Sequence, residues 1–103
     1  MRQFDVVEAP GEDRGFVPYL VVLQSDLLID LDTRLAAPLL APDRFQPIRH
    51  LNPVFEIAGE PWMMATQMTA AVPRGELDGI VVINLAPERD AIIRAIDFVL
   101  AGV

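Results

Sequence analysis

Short runs of β-branched and aromatic residues, separated by prolines and glycines, dominate most of the chain. The first runs are Phe4–Val7 and Val17–Leu23, and both are typical of strands. A third run, Arg34–Leu40, is broken by Pro38 and ends before Pro42. Proline cannot donate a hydrogen bond to a β-ladder, so it favours strand starts and sheet edges. This part of the chain therefore predicts three short strands.

The middle of the chain predicts a hairpin and one more strand. Val54–Ile57 and Trp62–Met64 flank Ala58–Pro61, a short glycine-containing connection of the hairpin type. Ile80–Ile83 is the last strand candidate. Leu27–Ile29 fits either a bend or a continuation of the second strand.

The C-terminal stretch changes to a helical period. Pro87 suits the first helical position, where its missing N–H is not needed. Ile92, Ile96 and Val99 recur at helical spacing and form an apolar stripe. Gly102 is placed to end the helix in the left-handed conformation. The pattern predicts a mainly β protein with one C-terminal helix.

Composition narrows the class of protein. The chain has 103 residues and is 52% hydrophobic, which predicts one domain over residues 1–103 and excludes an intrinsically disordered protein. It contains no cysteine, which excludes disulfides, thiolate zinc sites and cysteine nucleophiles. The net charge of -7 disfavours direct binding to nucleic acid, because phosphates would be repelled. No apolar run has the length of a signal peptide core or a membrane span, so we expect a soluble, cytoplasmic protein.

Candidate catalytic and metal-binding residues are few. His50 is the only histidine, and Ser25, Asp26 and His50 lack the nucleophile-elbow pattern. Asp30 and Asp32 would share a strand face, but such a pair is more often a solvated turn than a cation site. We therefore expect no catalytic residue, no metal site and no cofactor.

One apolar concentration lies around Trp62 and includes Met63, Met64 and Met68. Strand alternation places Trp62 and Met64 on one face and Met63 on the other. Two interpretations stay open, core filling by flexible side chains or a self-association surface. The second predicts that one member of the Met63–Met64 pair points away from the core.

The chain end is also apolar, since Phe98–Val103 carries no charged side chain. A helix end anchored in the core and a terminus that inserts into a partner both explain such a run. The residues alone favour a non-enzymatic binding protein and do not identify its partner.

A set of ordered stretches carries a resemblance from one end of the chain to the other. They are Gln3–Val6, Leu23–Leu28, Pro38–Leu39, Leu51–Ile57, Trp62–Met68, Ala71–Pro73, Arg89–Ile92, Ala95–Phe98 and Gly102–Val103. In these stretches the chain resembles the CcdB toxins of bacterial toxin–antitoxin modules. The resemblance implies an SH3-like antiparallel β-body with one C-terminal helix, assembled as a homodimer.

The resemblance also implies a function without catalysis. Such toxins bind the paired A subunits of DNA gyrase and trap the enzyme on cleaved DNA. A CcdA-like antitoxin neutralises the toxin by wrapping a disordered segment around the dimer, and the joint complex represses its own operon. The antitoxin makes the DNA contacts in that complex, which agrees with the acidic charge of this chain.

Positions for the contacts follow from the same resemblance. The gyrase-facing residues would be Leu27, Leu28, Asp97, Leu100, Ala101, Gly102 and Val103. The best-known relatives carry tryptophan at the position of Ala101 and asparagine at that of Asp97. An aromatic anchor is worth roughly 2–4 kcal/mol at an interface, so Ala101 predicts weaker gyrase poisoning.

Two alternatives stay open. A MazF-type endoribonuclease toxin shares the SH3-like body, but it needs a basic RNA groove, whereas the arginines of this chain are scattered. A non-toxic, antitoxin-binding structural dimer is the other alternative, and Ala101 is the residue in its favour.

Overall fold

Seven strands and one α-helix make up the protein in a computed structural model that describes residues 1–9 and 17–102. These elements are β1 (Asp5–Glu8), β2 (Tyr19–Val22), β3 (Thr33–Leu40), β4 (Val54–Ile57), β5 (Glu60–Met64), β6 (Ala70–Pro73), β7 (Val81–Asn84) and α1 (Arg89–Ala101). Single turns of 3-10 helix occupy Asp26–Leu28, Thr66–Met68, Arg74–Leu77 and Ala86–Glu88. The predicted mainly β architecture with one C-terminal helix is confirmed.

All strands pair antiparallel in one curled sheet with the order β4-β5-β3-β2-β1-β7. β3 is the long central strand, and β2 lies along one of its edges. Its other edge is shared, because its beginning pairs with β6 and its end pairs with β5. The sheet therefore forms a half-barrel that is open between β4 and β7.

The main core lies between the curled sheet and α1. It contains apolar side chains from β1 to β5 and from the helix, among them Val6, Leu39, Phe55 and Ile92. Burying one such side chain stabilises the fold by about 1.5–3 kcal/mol relative to leaving it exposed. Two smaller clusters cover the opposite face of the sheet.

The helix ends where the sequence predicts but begins at Arg89, two residues after the predicted start, and less of its apolar stripe is buried than predicted. Gly102 ends α1 with φ 76°, and its N–H donates to the carbonyl of Phe98 at 2.8 Å. Pro87 lies in the 3-10 turn that leads into the helix. Ile92 is buried and Ile96 is half-buried, but Val99 is exposed. Fully buried Ala95 joins Ile92 in the core, whereas Val99, on the same face but one turn nearer the helix end, is 41% exposed.

The β4–β5 hairpin is confirmed, with a tighter turn than its sequence indicated. Ala58 and Gly59 both have positive φ, 53° and 82°, as a two-residue hairpin turn requires. β5 starts at Glu60, so Pro61 lies inside the strand, opposite Glu56.

The structure decides between the two alternatives for Leu27–Ile29 in favour of the bend, because Asp26–Leu28 forms a 3-10 turn. β6 is an additional strand, and its exposed alanines carry no clear strand pattern. The first strand is shifted by one residue and the second is shortened. Residues 10–16 and 103 lie outside the described part of the chain. Among the residues described, no helix combines the length and apolar character needed to cross a membrane.

Candidate partner-binding surface

The loop between β2 and β3 exposes an unusual number of apolar side chains. Leu27 is 92% exposed, and Leu28, Ile29 and Leu31 are each about half exposed. A contiguous apolar patch of this kind is typical of an interaction site rather than of ordinary surface. We call residues 27–31 the apolar tip.

Short-range capping fixes the start of the apolar tip. The Ser25 Oγ accepts a hydrogen bond from the N–H of Leu27 at 3.1 Å, which caps the 3-10 turn. The Asp26 carboxylate accepts from the N–H of Gln3 at 2.8 Å and ties the turn to the N-terminal segment. Both side chains therefore have a structural role in holding the turn.

Buried Gln24 holds the apolar tip at its base. Its Nε2 donates to the carbonyls of Leu28 and Thr33, both at 3.1 Å. Its Oε1 accepts from the N–H of Leu35 at 3.1 Å. One side chain thus joins the beginning and the end of the loop.

Buried Arg34 holds the other side of the same loop. Its guanidinium donates to the carbonyl of Leu31 at 2.6 Å, to that of Thr33 at 3.0 Å and to that of Ile29. The loop carbonyls that would otherwise need water are therefore satisfied inside the protein. The apolar tip is a fixed structure and not a loosely held loop.

The end of α1 is a second exposed region. Leu100 is 80% exposed, and Asp97, Ala101 and Gly102 are exposed beside it. The remaining predicted position, Val103, lies outside the described residues. Every described residue that the family resemblance assigns to gyrase contact is therefore at the surface.

A mainly apolar cleft of about 370 Å³ adjoins the helix end. It is lined by Leu23, Leu35, Thr66, Gln67, Thr69, Ile96, Val99 and Leu100. Leu23 and Leu35 lie at the base of the apolar tip: Leu23 precedes Gln24 in the chain, and the N–H of Leu35 donates to the Gln24 Oε1. The cleft brings the helix end to the base of the tip, while Leu27 and Leu28 lie outside its lining.

The Trp–Met cluster is divided between the core and the surface. Trp62 and Met64 belong to the main core, and Met63 packs with Leu40 on the opposite face, as strand alternation requires. Met63 therefore does face away from the main core, as expected, but it is buried in the smaller cluster and offers no surface to a partner. Trp62 is half-buried, and Met68 is 51% exposed. Only these two of the four interface candidates offer surface to a partner.

The other candidate residues have separate structural positions. His50 lies against Phe98, with ring centroids 6.2 Å apart. Asp32 is 3.8 Å from the Arg74 guanidinium, and both side chains are exposed. Within residues 1–9 and 17–102, no group of three or more metal-ligating side chains comes together.

Buried polar side chains are the functional supports that the sequence analysis missed. Asn52 resembles Gln24 in this respect, because it bonds to Ile48, Met64 and Gln67 and thereby ties the middle loop to the cleft. The available signal was position, since Gln24 directly follows the apolar run Val17–Leu23 and Asn52 directly precedes the run that starts at Pro53. A polar residue beside such a run needs hydrogen-bond partners if it is buried.

Comparison with known proteins supplies the family. No curated protein matches the chain. The family described as CcdB protein, however, matches residues 3–102, which is nearly the whole sequence. The chain therefore belongs to the CcdB family of toxins from toxin–antitoxin modules.

Proposed function

We propose that this protein is a non-enzymatic toxin that binds the A subunit of DNA gyrase through the apolar tip and the end of α1. The main support for the proposal is the apolar tip, a set of exposed leucine and isoleucine side chains. Buried Gln24 and Arg34 hold its loop by hydrogen bonds to the loop carbonyls. Family membership supports the toxin role, and the tip supports a protein partner.

A fixed apolar surface suits this role because it binds without a large ordering cost. Binding loses free energy when loops and side chains must be immobilised, and a preformed surface avoids part of that loss. Leu27, Leu28 and Leu100 would supply the apolar contacts that a partner desolvates. Binding energy in protein interfaces is concentrated in a few such buried anchors.

The charge of the protein favours a protein target over DNA. Asp26, Asp30 and Asp97 lie on or beside the two exposed regions, and all three are exposed. A phosphate backbone would be repelled by them and by the net charge of -7. DNA would be contacted only through a CcdA-like antitoxin, in a complex that represses the operon.

We expect the toxin to bind a second copy of the chain and act as a homodimer. Exposed Met68 is a candidate for the homodimer contact, and it is not among the residues assigned to gyrase. Half-buried Trp62 stays a further candidate for that contact. We further propose that residues 1–103 form one toxin domain and that the toxin acts in the cytoplasm.

A gyrase cleavage assay tests the proposal. The purified protein is expected to raise the amount of gyrase-cleaved DNA, and Leu27→Asp is expected to abolish that effect without lowering the melting temperature. Ile48→Asp is the matched control, because Ile48, like Leu27, is an exposed branched aliphatic residue, but it lies in the loop between β3 and β4. Loss of activity in both variants, or cleavage of RNA by the parent protein at low salt, would contradict the proposal.

A further inference from the structure

We propose that the outer edge of β7 and the open seam between β7 and β4 bind an extended, basic segment of a partner protein, which pairs with β7 as an added strand. This binding mode uses the backbone of the sheet edge for affinity and side-chain pockets for specificity. It does not depend on the gyrase proposal, since it involves neither the apolar tip nor the helix end.

The first observation is the exposure of β7 and the residue before it. Ile80, Val81, Val82 and Ile83 are 71%, 47%, 39% and 40% exposed, and none of them carries a charge. Natural sheet edges are usually protected by charged side chains, proline or a covering element. Among the described residues, only a bulge protects this edge, where the register with β1 shifts opposite Val6 and Val7. An uncovered run of four β-branched residues favours a covering partner.

The second observation is the direction of the backbone groups. Among the described residues β7 pairs only with β1. Glu8 donates its N–H to the carbonyl of Ile80, and Leu85 donates its N–H to the carbonyl of Phe4. Because hydrogen-bonded and non-hydrogen-bonded pairs alternate in an antiparallel ladder, Val81 and Asn84 direct their N–H and C=O groups away from β1. These groups are positioned to pair with an incoming strand.

The third observation is a cleft of about 230 Å³ that joins the two ends of the sheet. Its lining comes from β4, from the end of β7 and from the turn that follows. The lining residues are Val54, Phe55, Glu56, Ile83, Asn84, Leu85, Pro87 and Glu88. Since β4 and β7 end the sheet on opposite sides, a segment placed here meets both edges of the half-barrel.

Charge selects the occupant of this seam. Glu56 and Glu88 are the only charged side chains that line the cleft, and neither has an ion pair with a described residue. A second copy of the chain would bring the same carboxylates and another net charge of -7 to the seam. A partner segment that alternates apolar residues with arginine or lysine instead complements both the apolar strand and the two carboxylates.

The test is a selection from a displayed library of nine-residue peptides. Alternate positions are randomised among valine, isoleucine, threonine, arginine, lysine, aspartate and glutamate, and binding of selected synthetic peptides to the full chain is measured by fluorescence anisotropy. We expect basic, β-branched peptides to be enriched and to slow amide exchange in β7. Enrichment of acidic peptides, no enrichment at all, or protection of β7 by self-association without peptide would overturn the proposal.

Two variants locate the bound peptide. Val81→Pro removes an outward N–H, and Val81→Lys places a charge on the edge if the proline variant unfolds. Either change is expected to weaken binding at least tenfold while the melting temperature stays near that of the parent. Glu56→Lys combined with Glu88→Lys is expected to reduce the preference for basic peptides. Ile48→Ser is the control, because Ile48 is exposed and does not line the seam cleft, and it should bind the peptides like the parent. Unchanged binding by both Val81 variants would contradict the assignment to β7.

Discussion

The two exposed apolar regions of this protein are held in different ways. Buried Gln24 and Arg34 hold the apolar tip through side-chain hydrogen bonds to loop carbonyls. The end of α1 is held by its backbone, with a single capping bond from Gly102 to Phe98. The apolar tip therefore depends on two buried polar side chains for its shape, whereas the last turn of α1 is shaped mainly by its own backbone hydrogen bonds. Substitutions should affect stability at the supports of the tip and function alone at the helix end.

Replacing Arg34 is expected to have the largest effect on stability. Arg34→Met keeps the length and apolar stem of the side chain but leaves the loop carbonyls without their donor. Each unsatisfied buried acceptor costs about 1–3 kcal/mol, so we expect the free energy of unfolding to fall by about 3 kcal/mol. Urea unfolding measures this loss. Arg94→Met on the exposed side of α1 is the control, with an expected change within about 0.5 kcal/mol.

Replacing Gln24 is expected to lower the free energy of unfolding less than replacing Arg34 does, and to speed amide exchange only in the apolar tip. Gln24→Leu fills similar volume but removes the link between Leu28, Thr33 and Leu35, at an expected cost of about 1–3 kcal/mol. Amide exchange of residues 27–31 should become faster than in the parent, while exchange in β4 and β5 changes little. Uniform acceleration throughout the chain would show that Gln24 supports the fold as a whole and not the tip.

The comparison also explains which parts of the structure could be read from the sequence. The β4–β5 hairpin was predictable because its strands and its Ala58–Gly59 turn are local features. β6 was not, because exposed Ala70 and Ala71 have little strand preference and the strand exists through pairing with β3. Helical spacing could not show how far along α1 the apolar face stays covered, so Val99 was predicted to lie in the core although it is exposed.

For the candidate site too, some features could be predicted from the sequence and others depend on the folded structure. Leu27 and Leu28 could be named from a family resemblance, and both are exposed. Their conformation stayed ambiguous between bend and strand, because Gln24 and Arg34 act on carbonyls that a sequence does not show. The exposed edge of β7 had a clear strand pattern, but its exposure depends on the sheet order.

Shortening the helix end is expected to separate stability from function. Deletion of residues 101–103 leaves buried Ile92 and Ala95 in place and removes one capping hydrogen bond, so the free energy of unfolding should fall by about 1 kcal/mol or less. The truncated protein should no longer raise gyrase-cleaved DNA. A thermal melt and a gyrase cleavage assay on the same preparation check both parts. A melting temperature far below that of the parent would show that the helix end belongs to the core. It would contradict the expectation that, unlike the supports of the apolar tip, the helix end matters for function and not for stability.

Adding an aromatic side chain at the helix end is expected to have the smallest effect on stability. Ala101 is exposed at the last turn of α1, so Ala101→Trp meets no packed neighbours and should not cause the strain of an overfilled core. If the helix end contacts gyrase, the new indole supplies an anchor of the kind that dominates interface energies, and poisoning should strengthen by at least tenfold. The half-maximal toxin concentration in the gyrase cleavage assay measures this change. Ala86→Trp is the matched control, because Ala86 is exposed in the 3-10 turn before α1 and should leave that concentration unchanged. Equal strengthening by both variants would indicate nonspecific apolar binding, and no strengthening by Ala101→Trp would remove the helix end from the proposed gyrase contact.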